Sequence, residues 1–457
     1  MTKSMVPALQ VPEILLNING YLDLADSIAA SQVNWLWYNI LRPCLPTDTV
    51  HWKDTLPQSE RDAALDRLCR GSVRSLECDF LYFEGKALHY HAKRQVQSQA
   101  WEPVKSMLLD DGLQLQRWVI RGGNFPDEDV FPILLRIKTV RHLSLDFLKG
   151  RNATPNIDKL FKILAVPSLQ TLRLLTVKNA FWGNMGFPFP NKVRCQLRKI
   201  VVEDTNLSEA NLARLMESCP HLEELVAIKI MSSWSPQIFK AISKTNPTLS
   251  ALTISSLPSN AGIDVWSEDH MSWMVEHLNV NLRSLALHRL FCSPETFALL
   301  QVKFQDLTRL EIHGISSDLC GQMVHRHLST CSQLQHLVAK DVRIPTRLLH
   351  EESLVWVCHD LRTLAIGFQD SDSHADSVDE HAETTRFLFE YLVQNVPELR
   401  SLSIQRYPLS LRPGDGMELL KELTKLEQYN ILSESLVPDA SQGQELKLGL
   451  RGHLGVR

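Results

Sequence analysis

A chain of 457 residues with 44% hydrophobic and 22% charged residues has the composition of a globular protein. Its formal net charge of −4 excludes the basic footprint that a nucleic-acid groove or an anionic membrane surface calls for. No run approaches the roughly 18 apolar residues a spanning helix requires, and MTKSMVPALQVPEILL, broken by Pro7, Pro12 and Glu13, lacks the layout of a secretory signal. Nine cysteines, odd in number and without a Cys-x-x-Cys pair, do not form a disulfide framework. The expectation is a reduced, soluble protein of the cytoplasm or nucleus.

The first element is VPEILLNINGYLDLADSIAASQVNWLWYNIL (11–41), whose periodicity predicts three short helices. Pro12 suits a first helical turn, and Ile14, Leu15 and Ile18 share a face before Gly20 ends it. Asp23 caps a second helix holding Leu24, Ile28 and Ala29. Val33, Trp37, Ile40 and Leu41 recur at the spacing of a third apolar stripe, which Pro43 and Pro46 stop. A unit of about 40 residues is too small to close its own core. Residues 1–50 must therefore pack on the rest of the chain or complete themselves on a partner.

Residues 51–110 are expected to hold connecting helices and the first irregular repeats, among them VRSLEC (73–78). From 115 a single phrase returns: a Leu, two residues, an apolar residue, one residue, another apolar residue. It runs through LQRWVI (115–120), VRHLSL (140–145), LQTLRL (169–174), LRKIVV (197–202), LEELVA (222–227) and LSALTI (249–254). It continues through LRSLAL (282–287), LTRLEI (307–312), LQHLVA (334–339), LRTLAI (361–366) and LRSLSI (399–404), with a weak copy LTKLEQ (423–428). Successive starts lie 24 to 38 residues apart, the leucine-rich-repeat period with two insertions. Side chains alternate along a strand, so the second and third apolar positions point into a core.

Between the phrases lie helical segments. SEANLARLMESC (208–219) offers Ser208 as a cap and Leu212, Leu215 and Met216 on one face; ETTRFLFEYLVQNV (383–396) does likewise with Phe387, Leu388, Tyr391 and Leu392. One such repeat cannot bury its apolar face alone, so the predicted architecture is an α/β solenoid of stacked strand–helix repeats with a curved parallel sheet over 111–432. Residues 433–457 are expected to be a flexible tail. Cys219, Cys331 and Cys358 each stand three residues before a phrase, and Asn246 and Val396 hold the equivalent place elsewhere. This resembles the cysteine-containing subclass of leucine-rich repeats. The expected role is a small buried hydrophobe rather than a metal ligand.

The opening unit itself resembles the F-box. That motif begins with a Leu-Pro-x-Glu-Ile phrase, passes a Tyr-Leu-Asp step and ends in a Val-(three residues)-Trp signature. This chain carries VPEIL, YLD (21–23) and VNWLW (33–37) in that order, with Val11 in place of the usual Leu and Asn34 where Cys is common. Followed by a leucine-rich array, it resembles the F-box/leucine-rich-repeat proteins. The resemblance implies a substrate receptor of an SCF-type ubiquitin ligase. Pro12, Ile14, Leu15, Ile18, Leu22, Val33 and Trp37 would dock a Skp-family adaptor and, through it, a cullin. The competing expectation is a leucine-rich interaction scaffold whose opening helices only cap the solenoid. A third, a leucine-rich GTPase activator, would need an Arg or Asn finger that nothing in the sequence marks.

The residues flanking the inward pairs define the expected concave face: His142, Ser144, Asp146, Thr171, Arg173, Lys199, Glu203, Ser284, His288, Arg309, Glu311, His313, His336, Lys340, Ser403 and Gln405. Of these, Asp146, Arg173, Glu203, His288, Arg309, Glu311, His313 and Lys340 are the candidate substrate contacts. The face is polar and of mixed charge, which suits a protein or peptide ligand. Two insertions interrupt the repeats. KNAFWGNMGFPFPNKVRC (178–195) is an aromatic candidate recognition loop or a cover over the core, and QDSDSHADSVDEHAE (369–383) is an acidic loop in which Ser377 and Glu380 form a capping box. No phosphate-binding Gly loop, His-Glu-x-x-His or Gly-x-Ser-x-Gly is present, and HYH (89–91) and HRH (325–327) are expected to be surface histidines. No catalytic, cofactor or metal site is therefore expected, and any ligase chemistry would belong to partners.

Overall fold

The structure is a computed structural model that describes residues 49–53, 56–69, 73–80, 101–109, 115–122, 127–146, 166, 168–175, 195–205, 209–230, 234–256, 268–290, 293–314, 318–350, 355–369, 378–407, 414, 416–434 and 447–453. The opening helical unit, including Pro12, Ile14, Leu15, Ile18, Leu22, Val33 and Trp37, lies outside these residues, as do 178–194 and 370–377. The chain divides into two compact units, Met1–Asn206 and Leu207–Arg457.

In the first unit six strands, β1 (Thr49–Lys53), β2 (Ser75–Phe80), β3 (Arg117–Gly122), β4 (His142–Asp146), β5 (Thr171–Leu175) and β6 (Lys199–Thr205), pair in sequence order. Every pair is parallel. The predicted phrases supply β2 to β6. β1, TVHWK, carries no leucine at all; it joins the sheet because Val50 and Trp52 alternate inward beside Leu76 and Cys78.

The second unit continues the plan with β7 (Glu224–Ile230), β8 (Ala251–Ser256), β9 (Ser284–Leu290), β10 (Arg309–Gly314), β11 (His336–Pro345), β12 (Thr363–Gln369), β13 (Ser401–Tyr407) and β14 (Gln428–Glu434). These pair in parallel, in order. Two details differ from expectation. The last phrase is LEQYNI (426–431), three residues beyond the weak copy at 423–428: Leu399 and Leu426 are equivalent, and Tyr429 stands opposite Leu402 in register. An aromatic in a leucine position hid it. Within 433–457, Lys447–His453 forms β15, antiparallel to β14.

The phrase works as a corner as well as a strand. Its first apolar residue is buried in every repeat from Leu115 to Leu426. In β2 to β5 and β7 to β13 the carbonyl just before the strand accepts two N–H groups from the next repeat. Arg74 O, for example, accepts from Gln116 and Arg117, and Arg283 O accepts from Thr308 and Arg309, all within 3.0 Å. Each repeat thus satisfies polar backbone that the one before would bury unpaired.

Helices close the inner side. In Glu209–Ser218 the predicted face Leu212, Leu215 and Met216 is buried, and in Val378–Asn395 Leu388, Tyr391 and Leu392 are buried with Phe387 half-buried. Pro236–Thr245 and Pro294–Lys303 start alike: Ser235 and Ser293 accept from Gln237 N and Thr296 N at 3.1 Å, each followed by Pro at the first helical position. Glu268, at the head of its own helix, accepts from the N–H and hydroxyl of Ser293 and from the Thr296 hydroxyl, tying neighbouring repeats together.

The corner cysteines are buried as expected. Cys331 Sγ donates to Gln305 O at 3.2 Å and Leu307 O at 3.4 Å, and burial pushes its thiol up to about 11 and that of Cys358 up to about 12. Asn246, fully buried in the equivalent place, donates Nδ2–H to Cys219 O at 2.6 Å and Met216 O at 3.2 Å. It adds a second donor to two carbonyls at the end of the preceding helix, which also accept from the N–H groups of Cys219 and Leu222.

Candidate functional site

Because side chains alternate, the residues between the buried pairs fall in columns on the outer face of each unit's sheet. In the first unit one column gathers an ion network around Glu77, only 11% of whose side chain is exposed. His51 Nδ1 lies 3.4 Å, Arg117 Nη2 3.5 Å and Arg121 Nη1 3.1 Å from its carboxylate. Arg121 also reaches Asp79 at 3.4 Å, and Lys53 approaches Asp79 at 3.8 Å. Burial alone would lower the pKa of Arg121, but the charges of Glu77 and Asp79 outweigh it and raise it. The expected contact Arg173 pairs with Glu203 at 3.7 Å, and Asp146 stands in register opposite Arg121. His142 is pulled below its ordinary value by burial and by Arg117 and Arg141.

In the second unit four of the expected residues converge on β9 and β10. His288 and His313 are register partners, and Glu311 lies two residues before His313 on the same face. The two imidazoles stack with centroids 4.1 Å apart and planes 15° from parallel. His313 Nε2 is 2.8 Å from Glu311 Oε1, and His288 Nε2 is 4.0 Å from the same oxygen. The His313 Nε2 atom is buried and makes no aligned hydrogen bond among the described residues, so the short contact is one of proximity. Arg309 donates to the other oxygen, Oε2, at 3.3 Å.

The electrostatics follow from this crowding. Burial would raise the Glu311 carboxyl, but the Arg309 hydrogen bond and the nearby His313, Arg309 and His288 hold it below its ordinary value. Burial pulls His288 down, helped by His313 and Lys340 and opposed by Glu311. Lys340 is exposed on β11, in register with His313. His336 Nδ1 sits 3.0 Å from Thr363 Oγ1, and burial with Arg309 and Arg362 lowers its pKa.

Some of this was not anticipated. His51, Glu77 and Asp79 sit in irregular repeats whose outward positions the leucine pattern does not mark, while Arg117 and Arg121 occupy outward positions of LQRWVI equivalent to those of His142 and Asp146. Their signal was charge at matching strand positions, as in ExD (77–79) and R-x-x-x-R (117–121). The HRH pair is corrected outright: His325 and His327 are buried, not on the surface. They lie on the helix Asp318–Leu328, where Met323, Val324, His327 and Leu328 share the inward stripe. Trp356 Nε1–H donates to His325 Nδ1 at 3.0 Å, and Phe297 meets the His327 ring edge-on at 6.2 Å. Burial lowers both pKa values to about 4.

Among the described residues no helix is long and apolar enough to cross a membrane. No protein-family model and no curated protein matches the chain. Among solved structures, a Rad7 and Elc1 complex from yeast aligns over 90% of this chain and 97% of that chain, at 13% identity and a TM-score of 0.42. The leucine-rich repeat-containing protein LegL7 from Legionella pneumophila aligns over 76% of this chain and 100% of its own, at 13% identity and a TM-score of 0.37. At those scores neither likeness carries an argument. The class rests on the molecule itself: one strand per repeat in parallel register and a recurrent buried corner make this an α/β protein of leucine-rich-repeat type.

Proposed function

We propose that this chain is a non-enzymatic substrate-recognition adaptor of an SCF-type ubiquitin ligase, acting in the cytoplasm, the nucleus or both. The opening helical unit docks a Skp-family adaptor and through it a cullin, and the outer sheet face of the repeats binds the substrate protein. The observation that carries this reading is the ordered VPEIL, YLD and VNWLW phrases immediately ahead of a leucine-rich array. A second support is chemical. The outer columns carry both signs of charge close together, Arg309 bonded to Glu311 and Lys340 in register with His313, which suits a protein surface better than a polyanion.

Affinity purification of the intact chain and of a chain lacking residues 1–45, with proteasome inhibition and mass spectrometry, tests it. Adaptor and cullin should accompany the intact chain and vanish from the truncation, while substrate proteins remain on both. Absence of the adaptor from the intact chain would leave the scaffold reading, with the opening helices as a cap.

A further inference from the structure

The second unit holds a constellation that recognition of a protein does not require. We propose that His288, Glu311 and His313 form a binding site for one divalent d-block cation of the zinc class. The geometry carries the proposal. The two histidines are paired across β9 and β10, Glu311 shares their face, and one ligand atom from each lies within 4.8 Å of the others. A cation about 2.0–2.2 Å from nitrogen and oxygen ligands holds them roughly 3.0–3.5 Å apart. The separations here, 2.8 Å and 4.0 Å, bracket that value. The third separation, between the two imidazole nitrogens, lies within 4.8 Å, and all three side chains are partly exposed, between 19% and 24%, which leaves the rings room to turn.

The donor chemistry agrees. Among the described residues His313 Nε2 is buried and makes no hydrogen bond, its near neighbour being the Glu311 carboxylate, so in the appropriate tautomer its lone pair is available to ligate. Arg309 holds Glu311 Oε2 and thereby turns Oε1 toward the rings, the orienting role an outer-shell partner plays. Two imidazoles and one carboxylate suit zinc, copper or nickel; calcium and magnesium want more oxygens than this site offers. Arg309 and Lys340 oppose any cation held by charge alone, so the ion must be held by ligation. Three protein ligands leave a fourth position for water or a partner's donor. Binding also demands a visible change: the stacked rings must tilt so that both Nε2 lone pairs meet one point.

The site lies on the face proposed to bind substrate, but it does not rest on the ligase reading, and its test uses no ubiquitin component. The intact chain, kept reduced, is titrated with zinc chloride against a chelating dye and crystallised with zinc for anomalous diffraction at the zinc edge. The expected result is an anomalous peak bonded to His288, Glu311 and His313. Occupancy at that peak should be lost, and affinity for that ion weakened at least about tenfold, in each of H313A, H288Q and E311Q. Calcium and magnesium chloride should give no peak there. The three substitutions lie on two strands, and metal-free melting curves matching the wild type identify those that fold. The proposal is overturned by zinc bound only elsewhere, at cysteines or other histidines, or by a peak that persists unchanged in a folded variant.

Discussion

Lowering the pH should weaken the second unit through two buried imidazoles, and replacing one of them should remove a defined share of that weakness. His325 and His327 are both fully buried. His325 must keep a lone pair on Nδ1 to accept from Trp356 Nε1–H, and neither nitrogen of His327 has a hydrogen-bond partner among the described residues. Neither ring can take a second proton without losing an interaction or burying a bare charge. Their pKa values accordingly fall from about 6.5 to about 4. The folded state leaves them neutral while the unfolded chain takes up protons, so the stabilisation is complete above pH 6.5 and is lost progressively towards pH 4. At 1.36 kcal/mol per pH unit, each ring accounts for about 2–3 kcal/mol between pH 7.5 and 4.5. Urea unfolding of wild type and His327→Leu at both pH values, followed by tryptophan fluorescence, measures it. The carboxylates contribute equally to both proteins, so the difference between their pH dependences isolates His327. The leucine variant should lose about 2–3 kcal/mol less on acidification and be no less stable at pH 7.5. Identical pH dependences would refute the argument that burial holds this ring neutral.

Asn246→Ala removes one of two donors from each of the carbonyls of Met216 and Cys219, which keep the N–H groups of Cys219 and Leu222, and should cost about 1–2 kcal/mol by thermal melting. Asn246→Cys should cost less, since Cys331 in the equivalent corner already donates its thiol to two carbonyls. Gly321→Ala should destabilise the protein by about 3 kcal/mol, because an added Cβ would lie 1.8 Å from the carbonyl oxygen of Arg343; an unchanged melting temperature would contradict the close packing of that helix on β11. Glu77→Gln removes the charge that His51, Arg117 and Arg121 face and should cost about 1 kcal/mol at low salt, shrinking as ionic strength rises.

The repeat was legible because its physics is local. Leucines at the first, fourth and sixth positions of a phrase must alternate inward from a strand, and phrases one period apart must stack. Eleven phrases therefore located β3 to β13. β1 escaped because Val50 and Trp52 fill the same inward positions without leucine, and β14 because Tyr429 takes the place of one. Outward positions followed from the same alternation, so Arg309, Glu311 and His313 were placed on one face correctly. Their meeting with His288 was not visible in the spacing, since it depends on register between strands from different repeats. A histidine at the same phrase position in two consecutive repeats, LALH and LEIH, was the available signal. His325 and His327 misled for the opposite reason: residue type suggested surface, while their helical position fixed them inside.

The central claim is that residues 11–41 are a docking module completed by another protein. Size-exclusion chromatography of the intact chain mixed with a purified Skp-family adaptor, with calorimetry on the same pair, tests it most directly. A 1:1 complex should form with the intact chain and be lost on Trp37→Ala, with the variant's melting temperature retained. No complex with the intact chain, or one undiminished by the substitution, would contradict it.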